Sequence, residues 1–138
     1  MTDTELIRRA LEARRFAWCP YSGFAVGAAL LCSDGTVFTG CNIENSSLGA
    51  TNCAERTAIF SAVAAGHRDF NAIAICGGPA LSAPSVLCPP CGICRQVMTE
   101  FCSPDFRVIL AVSAQDFTVS TLSALLPSSF GPADLGRK

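Results

Sequence analysis

The sequence has few charged residues and one histidine, and it contains no long apolar run. Only 15% of its 138 residues are charged, which is low for a small monomeric protein. No segment approaches the roughly 18 consecutive apolar residues of a membrane helix, and the acidic residues near Met1 are unlike a secretory signal. The single histidine, His67, largely excludes serine-triad and histidine-rich metal chemistry. The lack of a signal-like start, together with cysteines that are expected to stay reduced, leads us to expect a cytoplasmic protein.

Basic runs are also missing, and the formal net charge is −1. A nucleic-acid partner would require a basic groove with stacking aromatic residues, so neither a nucleic acid nor a membrane is expected as a partner. Half of the residues are hydrophobic, which leaves more apolar surface than a small monomer needs. Burial in a homo-oligomer would account for this surplus, and an unusually large core is the alternative.

Cysteine, in contrast, is abundant. The chain has nine cysteines, an odd number, and several of them cluster around one C-x-x-C sequence. This distribution is unlike a disulfide framework and fits thiols that stay reduced. Cys32, Cys41 and Cys76 lie in apolar, strand-like runs and are expected to be small core residues.

Hydrophobic spacing and turn residues predict one layered α/β domain over residues 1–138, built around a mixed sheet. Thr2 and Glu5 form a capping box ahead of apolar residues with helical spacing, namely Leu6, Ile7, Ala10, Leu11, Ala13 and Ala17. Asp34-Gly35 predicts a hairpin between strands at 26–32 and 37–41. Further helices are predicted at 54–65, about 92–101 and 122–126, and further strands at 72–76 and 107–112.

Two segments, Cys53-Ala54-Glu55 and Pro90-Cys91-Gly92-Ile93-Cys94, have the spacing of a catalytic zinc site. Such a site needs three protein ligands and an open fourth position for water. It also needs a base that moves the protons of that water. The three cysteines can supply the ligands and Glu55 the base. Each segment is expected to begin a helix, whose N-terminus favours thiolates.

Three thiolates on one Zn²⁺ leave the site with a net negative charge. Water bound to this zinc is therefore less acidic than water bound to a zinc with neutral ligands. Arg56 and Arg95 each directly follow a site residue. We expect Arg56, with Arg95 as a second contributor, to withdraw charge from the thiolates through hydrogen bonds. The alternative is that both are ordinary surface arginines.

Other interpretations of the cysteines remain open at this stage. Cys88 can be added as a fourth ligand, which would give a closed structural zinc site without chemistry. The C-x-x-C pair is also compatible with a redox function. A non-enzymatic, zinc-stabilised interaction module is the corresponding alternative from a different functional class.

The chain resembles the cytidine deaminase family, of the small homotetrameric type with three cysteine ligands, over nearly its whole length. The zinc signature matches the wider cytidine and deoxycytidylate deaminase superfamily. Asn42-Ile43-Glu44 is the part of the resemblance that is specific for nucleosides. The matching segments, which include both of these motifs, are Pro20–Leu30, Gly40–Asn45, Thr51–Ala58, Pro90–Gln96 and Leu125–Phe130.

The resemblance implies a three-layer α/β/α fold with a mixed sheet of about five strands, and one Zn²⁺ per subunit. It implies Cys53, Cys91 and Cys94 as zinc ligands and Glu55 as the proton shuttle. It further implies a homotetramer with sites at the subunit boundaries, where Phe130 closes a neighbouring site. The implied substrate-binding residues are Phe24, Asn42, Glu44, Ala54, Leu48 and Phe130.

The implied activity is the hydrolytic deamination of cytidine and 2′-deoxycytidine to the uridines, with release of ammonia, as in pyrimidine salvage. Glu44 would accept a hydrogen bond from a sugar hydroxyl and repel a phosphate, which favours a nucleoside. Without the resemblance, Asn42 and Glu44 are also compatible with a turn after a strand. Leu48 departs from the family, which commonly has tyrosine there. The nearest rival substrate is another amine-bearing ring, such as a free base.

Overall fold

The computed structural model describes residues 1–137, which form a five-stranded sheet covered by helices. The sheet order is β2-β1-β3-β4-β5, and all neighbouring strands are antiparallel except the parallel pair β3 and β4. In chain order the elements are α1 (Asp3–Arg14), β1 (Phe24–Cys32), β2 (Val37–Cys41), α2 (Ala54–Ala64), β3 (Phe70–Pro79), α3 (Gly92–Phe101), β4 (Arg107–Ala111), β5 (Phe117–Thr121) and α4 (Leu122–Leu125). Short 3₁₀ turns lie at Leu48–Ala50 and Pro132–Leu135.

The sheet has an apolar core on each face, because successive strand residues point to opposite sides. Helix α1 buries its apolar stripe on one face, against β3 and β4 residues such as Ala74 and Ile109. Helices α2 and α3 cover the other face, where Ile59 and Met98 pack against Ile75. The expected three-layer α/β/α fold with a mixed five-stranded sheet is thus confirmed.

Several predicted boundaries are confirmed. The capping box of α1 forms, with the Thr2 hydroxyl accepting from the Glu5 amide and the Glu5 carboxylate accepting from the Thr2 amide. The hairpin turns at Asp34-Gly35, and Gly35 adopts a φ of 92° there, in the left-handed region that glycine enters at low cost. Ala17 fits the helical pattern of the sequence but lies beyond the end of α1 at Arg14.

Two strands differ from the sequence prediction. Strand β3 continues through Gly77 and Gly78 to Pro79, although the glycines suggested a loop. Position 77 has no room for a side chain, because a Cβ there would lie 2.7 Å from the Cys88 sulfur. The sequence pattern alone does not predict strand β5, because Phe117–Thr121 is a short, partly exposed edge strand without a continuous apolar run.

Among residues 1–137, no helix is both long enough and apolar enough to cross a membrane.

Candidate functional site

The two halves of the zinc signature begin two neighbouring helices. Cys53 is the N-cap residue of α2, and Cys91 is the N-cap residue of α3, so the predicted helix starts are confirmed. Both residues have extended backbone dihedrals. The Cys91 sulfur accepts from the Cys94 amide in the first turn of α3, whereas the Cys53 sulfur makes no such capping hydrogen bond in α2. The two helix N-termini therefore bring their positive dipole ends toward the same cluster of thiols.

The sulfur atoms of Cys53, Cys91 and Cys94 all lie within 4.8 Å of one another. The Cys53 and Cys91 sulfurs are 3.6 Å apart, and the Cys94 amide donates to the Cys91 sulfur at 3.5 Å. Cys94 is buried, Cys53 is partly buried and Cys91 is exposed. The cluster therefore has a protein-facing side and a side that remains open to solvent.

Hydrogen bonds within the cluster favour an ionised thiol. A hydrogen bond from Cys94 and one from Arg56 lower the pKa of the Cys53 thiol, although burial acts in the opposite direction. The shared proton correspondingly raises the pKa of Cys94. The Cys53 thiol is therefore easily deprotonated. This favours metal binding, because a metal ion needs deprotonated sulfur ligands.

Glu55 is the residue after the Cys53 cap and is only 3% exposed, in the first turn of α2. Burial raises the pKa of Glu55 to about 7, and the nearby charge of Cys53 acts in the same direction. A carboxyl group with a pKa near neutrality can both accept and donate a proton under physiological conditions. Because Glu55 lies beside the thiols, it can exchange protons with a water molecule bound at the thiol site.

The two predicted charge-compensating arginines differ in their contacts. The Arg56 guanidinium donates to the Cys53 sulfur at 3.3 Å. Arg95 instead donates to the carbonyl oxygens of Pro90 at 2.8 Å and Leu125 at 2.6 Å. Within the described residues no hydrogen bond joins Arg95 to a sulfur. Its contacts therefore support the Pro90–Cys91 backbone, and they do not support the charge-compensating role predicted for it.

Cys88 lies near the cluster but outside it. Its sulfur packs against Gly77 on β3. Burial raises the pKa of Cys88 to about 11, and the charges of Glu55 and Cys53 contribute to this shift. Its sulfur is not among the three that lie within 4.8 Å of one another. This geometry favours an open three-thiol site over the closed four-cysteine alternative.

The segment Asn42-Ile43-Glu44 lies directly beside the thiol cluster. Ile43 exchanges two backbone hydrogen bonds of 2.9 Å with Asn52, the residue before Cys53. The Asn42 side chain is buried and makes two hydrogen bonds to the backbone of β1. Its oxygen accepts from the Val26 amide, and its nitrogen donates to the Phe24 carbonyl. Asn42 therefore has one amide hydrogen and one lone pair left for a ligand.

Glu44 has an exposed carboxylate that is already hydrogen-bonded. It accepts from the amides of Tyr21 and Ser22, at 2.9 and 3.1 Å, and from the Ser22 hydroxyl. The Ser22 hydroxyl and these amides lower the pKa of Glu44, so it stays ionised. Ser22 was not singled out from the sequence, where nothing marked it as a neighbour of Glu44.

The other predicted substrate-binding residues are placed as follows. Phe24 begins β1 and is 40% exposed, and Ala54 is the buried first residue of α2. Leu48 is 73% exposed at the start of a 3₁₀ turn. Phe130 is 59% exposed, and its carbonyl accepts a hydrogen bond of 2.7 Å from Gln96 on α3.

A short polar relay that the sequence reasoning missed supports the Cys53 backbone. The Thr57 hydroxyl donates to the Cys53 carbonyl at 3.2 Å and accepts from the Asn52 side chain at 3.1 Å. Threonine at position i+4 often back-bonds to a helical carbonyl, so the spacing could have indicated this contact. The relay fixes the segment that leads into α2.

The donor set fits zinc. Three sulfur donors at mutual distances within 4.8 Å can close on one tetrahedral ion. The exposed side near Cys91 leaves room for a non-protein ligand beside Glu55. An open thiolate site next to a proton-transferring carboxyl group is characteristic of a hydrolytic zinc enzyme, and this is the class that fold and site define.

Comparison with known proteins narrows the class to a family. Residues 1–110 match the family model described as the cytidine and deoxycytidylate deaminase zinc-binding region, and the chain belongs to this family. Zinc is its cofactor. A cytidine deaminase of Halalkalibacterium halodurans is 49% identical over 130 residues, which are 94% of this chain and 95% of the relative.

Solved structures agree with this assignment. The crystal structure of a cytidine deaminase from Burkholderia pseudomallei has a TM-score of 0.85 and 50% identity, covering 94% of this chain and 100% of the other. That of a cytidine deaminase from Mycobacterium tuberculosis has a TM-score of 0.80 and 39% identity, covering 95% of this chain and 99% of the other.

Proposed function

We propose that this protein catalyses the hydrolytic deamination of cytidine and 2′-deoxycytidine, as a single catalytic domain that serves pyrimidine salvage in the cytoplasm. The reaction replaces the amino group on the pyrimidine ring by oxygen from water and releases ammonia. The observation that carries the proposal is the buried Glu55, with a pKa of about 7, beside an open cluster of three thiols. The names of the relatives support cytidine as the substrate.

In this mechanism Cys53, Cys91 and Cys94 hold zinc, which supplies Lewis-acid activation of water as a nucleophile. Glu55 accepts the proton that the attacking water loses and delivers it to the ring nitrogen. It then transfers a second proton from the added hydroxyl to the departing amine, so that ammonia leaves as a neutral molecule. Burial keeps the Glu55 carboxyl poised between its two protonation states.

Arg56 offsets part of the negative charge of the cysteine ligands through its contact with Cys53. Replacing Arg56 with Gln is expected to lower kcat about 10- to 100-fold while zinc stays bound, because metal-site partners beyond the ligands typically have effects of this size. Arg8→Gln on the exposed side of α1 removes the same charge far from the site and should leave kcat unchanged. Steady-state kinetics at equal zinc content check both expectations. If Arg56→Gln had the same kcat as the parent protein, the proposed role of Arg56 would be wrong.

Asn42 and Glu44 are proposed to bind the ribose, and this follows from their remaining hydrogen-bonding capacity. Glu44 already accepts from the Ser22 hydroxyl, and a sugar hydroxyl can replace that donor without leaving the carboxylate unpaired. A phosphate at the same place would meet an ionised carboxylate and be repelled. The pair therefore favours a free nucleoside over a nucleotide.

Comparison of cytidine with free cytosine tests this assignment. Glu44→Gln is expected to lower kcat/KM for cytidine about 10- to 100-fold, the size of one hydrogen bond to a charged group. It should not change the much weaker turnover of cytosine, which lacks the sugar. Glu100→Gln on α3 is the matched control, since this glutamate is exposed. If the parent protein deaminated cytosine as efficiently as cytidine, the proposed nucleoside specificity would be wrong.

A homotetramer with active sites at subunit boundaries is proposed on the basis of exposed apolar side chains. Phe16, Trp18 and Leu48 are 72%, 60% and 73% exposed, which is costly for side chains of this size in water. A groove of about 760 Å³ lies between α3 and the C-terminal segment, away from the thiols. The thiol site is open to solvent at the exposed Cys91, and Phe130 of a neighbouring subunit is proposed to close it.

A further inference from the structure

A second cluster of metal-ligand side chains lies at the opposite end of α2 from the thiol site. Cys32 ends β1, Asp34 lies in the β1–β2 turn, and His67 follows α2. One ligand atom from each residue lies within 4.8 Å of the other two. We propose that these three residues form a second metal site for a divalent transition ion of the zinc or cobalt class.

The donor chemistry supports this class of ion. Thiolate, imidazole and carboxylate are the three side-chain types that bind zinc, at distances of about 2.0–2.3 Å. Around one tetrahedral ion such atoms lie about 3.3–3.7 Å apart. The distance of 3.5 Å between Asp34 Oδ2 and His67 Nδ1 already lies in this range. Sulfur and imidazole together disfavour magnesium and calcium, which prefer oxygen ligands.

The backbone holds each of the three residues in place. Gly66 ends α2 with a φ of 96°, and the amides of Gly66 and His67 return to the carbonyls of Val63 and Ala62 at 3.0 Å. These two bonds form a Schellman motif, which fixes the point at which His67 leaves the helix. The pairing of β1 with β3 shifts between Leu31 and Cys32. An irregularity of this kind re-aims the side chain that follows it.

Asp34 has one carboxylate oxygen engaged and one directed at the cluster. Its Oδ1 accepts from the Thr36 amide at 2.9 Å, while its Oδ2 lies 3.5 Å from Nδ1 of His67. The Phe38 ring meets the imidazole edge-on, with the ring centroids 5.0 Å apart, and restricts its orientation. A surface ion pair at this distance would stabilise the fold little.

Exposure is graded from one side of the cluster to the other. Cys32 is 1% exposed, whereas the side chains of His67 and Asp34 are 24% and 59% exposed. A metal ion can therefore enter from the Asp34 side, and water can complete its coordination. Bound there, it would join the hairpin turn to the end of α2 and stabilise the fold.

The site is separate from the catalytic cluster. Helix α2 has 11 residues, so about 16 Å of helix lies between its N-terminal cap, Cys53, and its C-terminal end near His67. Neither Asp34 nor His67 contributes to the deaminase mechanism proposed above. Their substitution is therefore expected to leave cytidine turnover unchanged.

Cobalt titration of protein that already holds its catalytic zinc tests the proposal. We expect a second metal ion per chain, a thiolate-to-cobalt charge-transfer band and a higher Tm. Asp34→Asn and His67→Gln should each abolish the second ion and its band. Asp69→Asn, a matched charge change nearby, should retain both. Zinc content measured in parallel separates this uptake from exchange at the catalytic site.

Three outcomes would overturn the proposal. The first is that no second ion binds to the parent protein. The second is that uptake persists unchanged in Asp34→Asn and His67→Gln. The third is a second ion without the charge-transfer band, because this would place it away from the Cys32 sulfur. None of these results bears on the deaminase proposal, which is measured by turnover.

Discussion

Replacing Glu55 with Gln is expected to lower kcat for cytidine at least about 10³-fold while zinc content stays unchanged. Each proton transfer by a positioned acid or base contributes about 10²–10⁴-fold, and Glu55 is proposed to serve more than one transfer. Glutamine has nearly the same shape but cannot accept or release the proton. It also removes a buried ionisable group, so Tm should not fall.

The control for this change is Glu12→Gln, which alters an exposed glutamate on α1 across the sheet from the site. It should retain parental kcat and zinc content. Zinc analysis and steady-state kinetics on the same preparations check both expectations. Substantial turnover by zinc-loaded Glu55→Gln would show that protons move by another route and would remove Glu55 from the mechanism.

The second large effect is expected at Cys91, and Cys88, three residues earlier, provides the control. Cys91→Ser should lose zinc on dialysis and lower cytidine turnover at least about 10³-fold, since activation of water by zinc supplies several kcal/mol. Cys88→Ser should keep both zinc and activity, because the Cys88 sulfur packs against Gly77 outside the cluster. Cys91 is exposed, so its substitution is not expected to disturb the core.

This pair of variants separates an open zinc site from a closed one. If Cys88→Ser also lost zinc, the site would have four cysteine ligands and no position for water. If Cys91→Ser kept zinc and activity, the ligand assignment itself would be wrong. Circular dichroism on both variants distinguishes loss of zinc from loss of the fold.

Much of the fold could be predicted because local signals and the final packing agree. The Thr2–Glu5 capping box, the Asp34-Gly35 turn and the apolar strand at 107–112 are each visible in a few neighbouring residues. Strand β5 could not be predicted in this way, because it is an edge strand whose register depends on pairing with β4. The same is true of Gly77, where a close contact with Cys88 comes from a distant part of the chain.

The site shows a similar division. The cysteine and glutamate positions follow from spacing alone, because both halves of the signature begin helices. The contacts of Arg95 with two carbonyl oxygens could not be anticipated, since the partner at Leu125 is supplied by the tertiary fold. Nor does the sequence indicate that Cys32 and His67 meet, because they approach only once β1 and α2 have packed.

Ammonia release from cytidine by protein of measured zinc content tests whether this protein is a zinc-dependent cytidine deaminase. We expect turnover by protein with zinc at the three-cysteine site, loss of turnover on chelation, and recovery when zinc is restored. Protein that carries this zinc, is folded and has its parental oligomeric state, yet releases no ammonia from cytidine or 2′-deoxycytidine, would contradict this expectation.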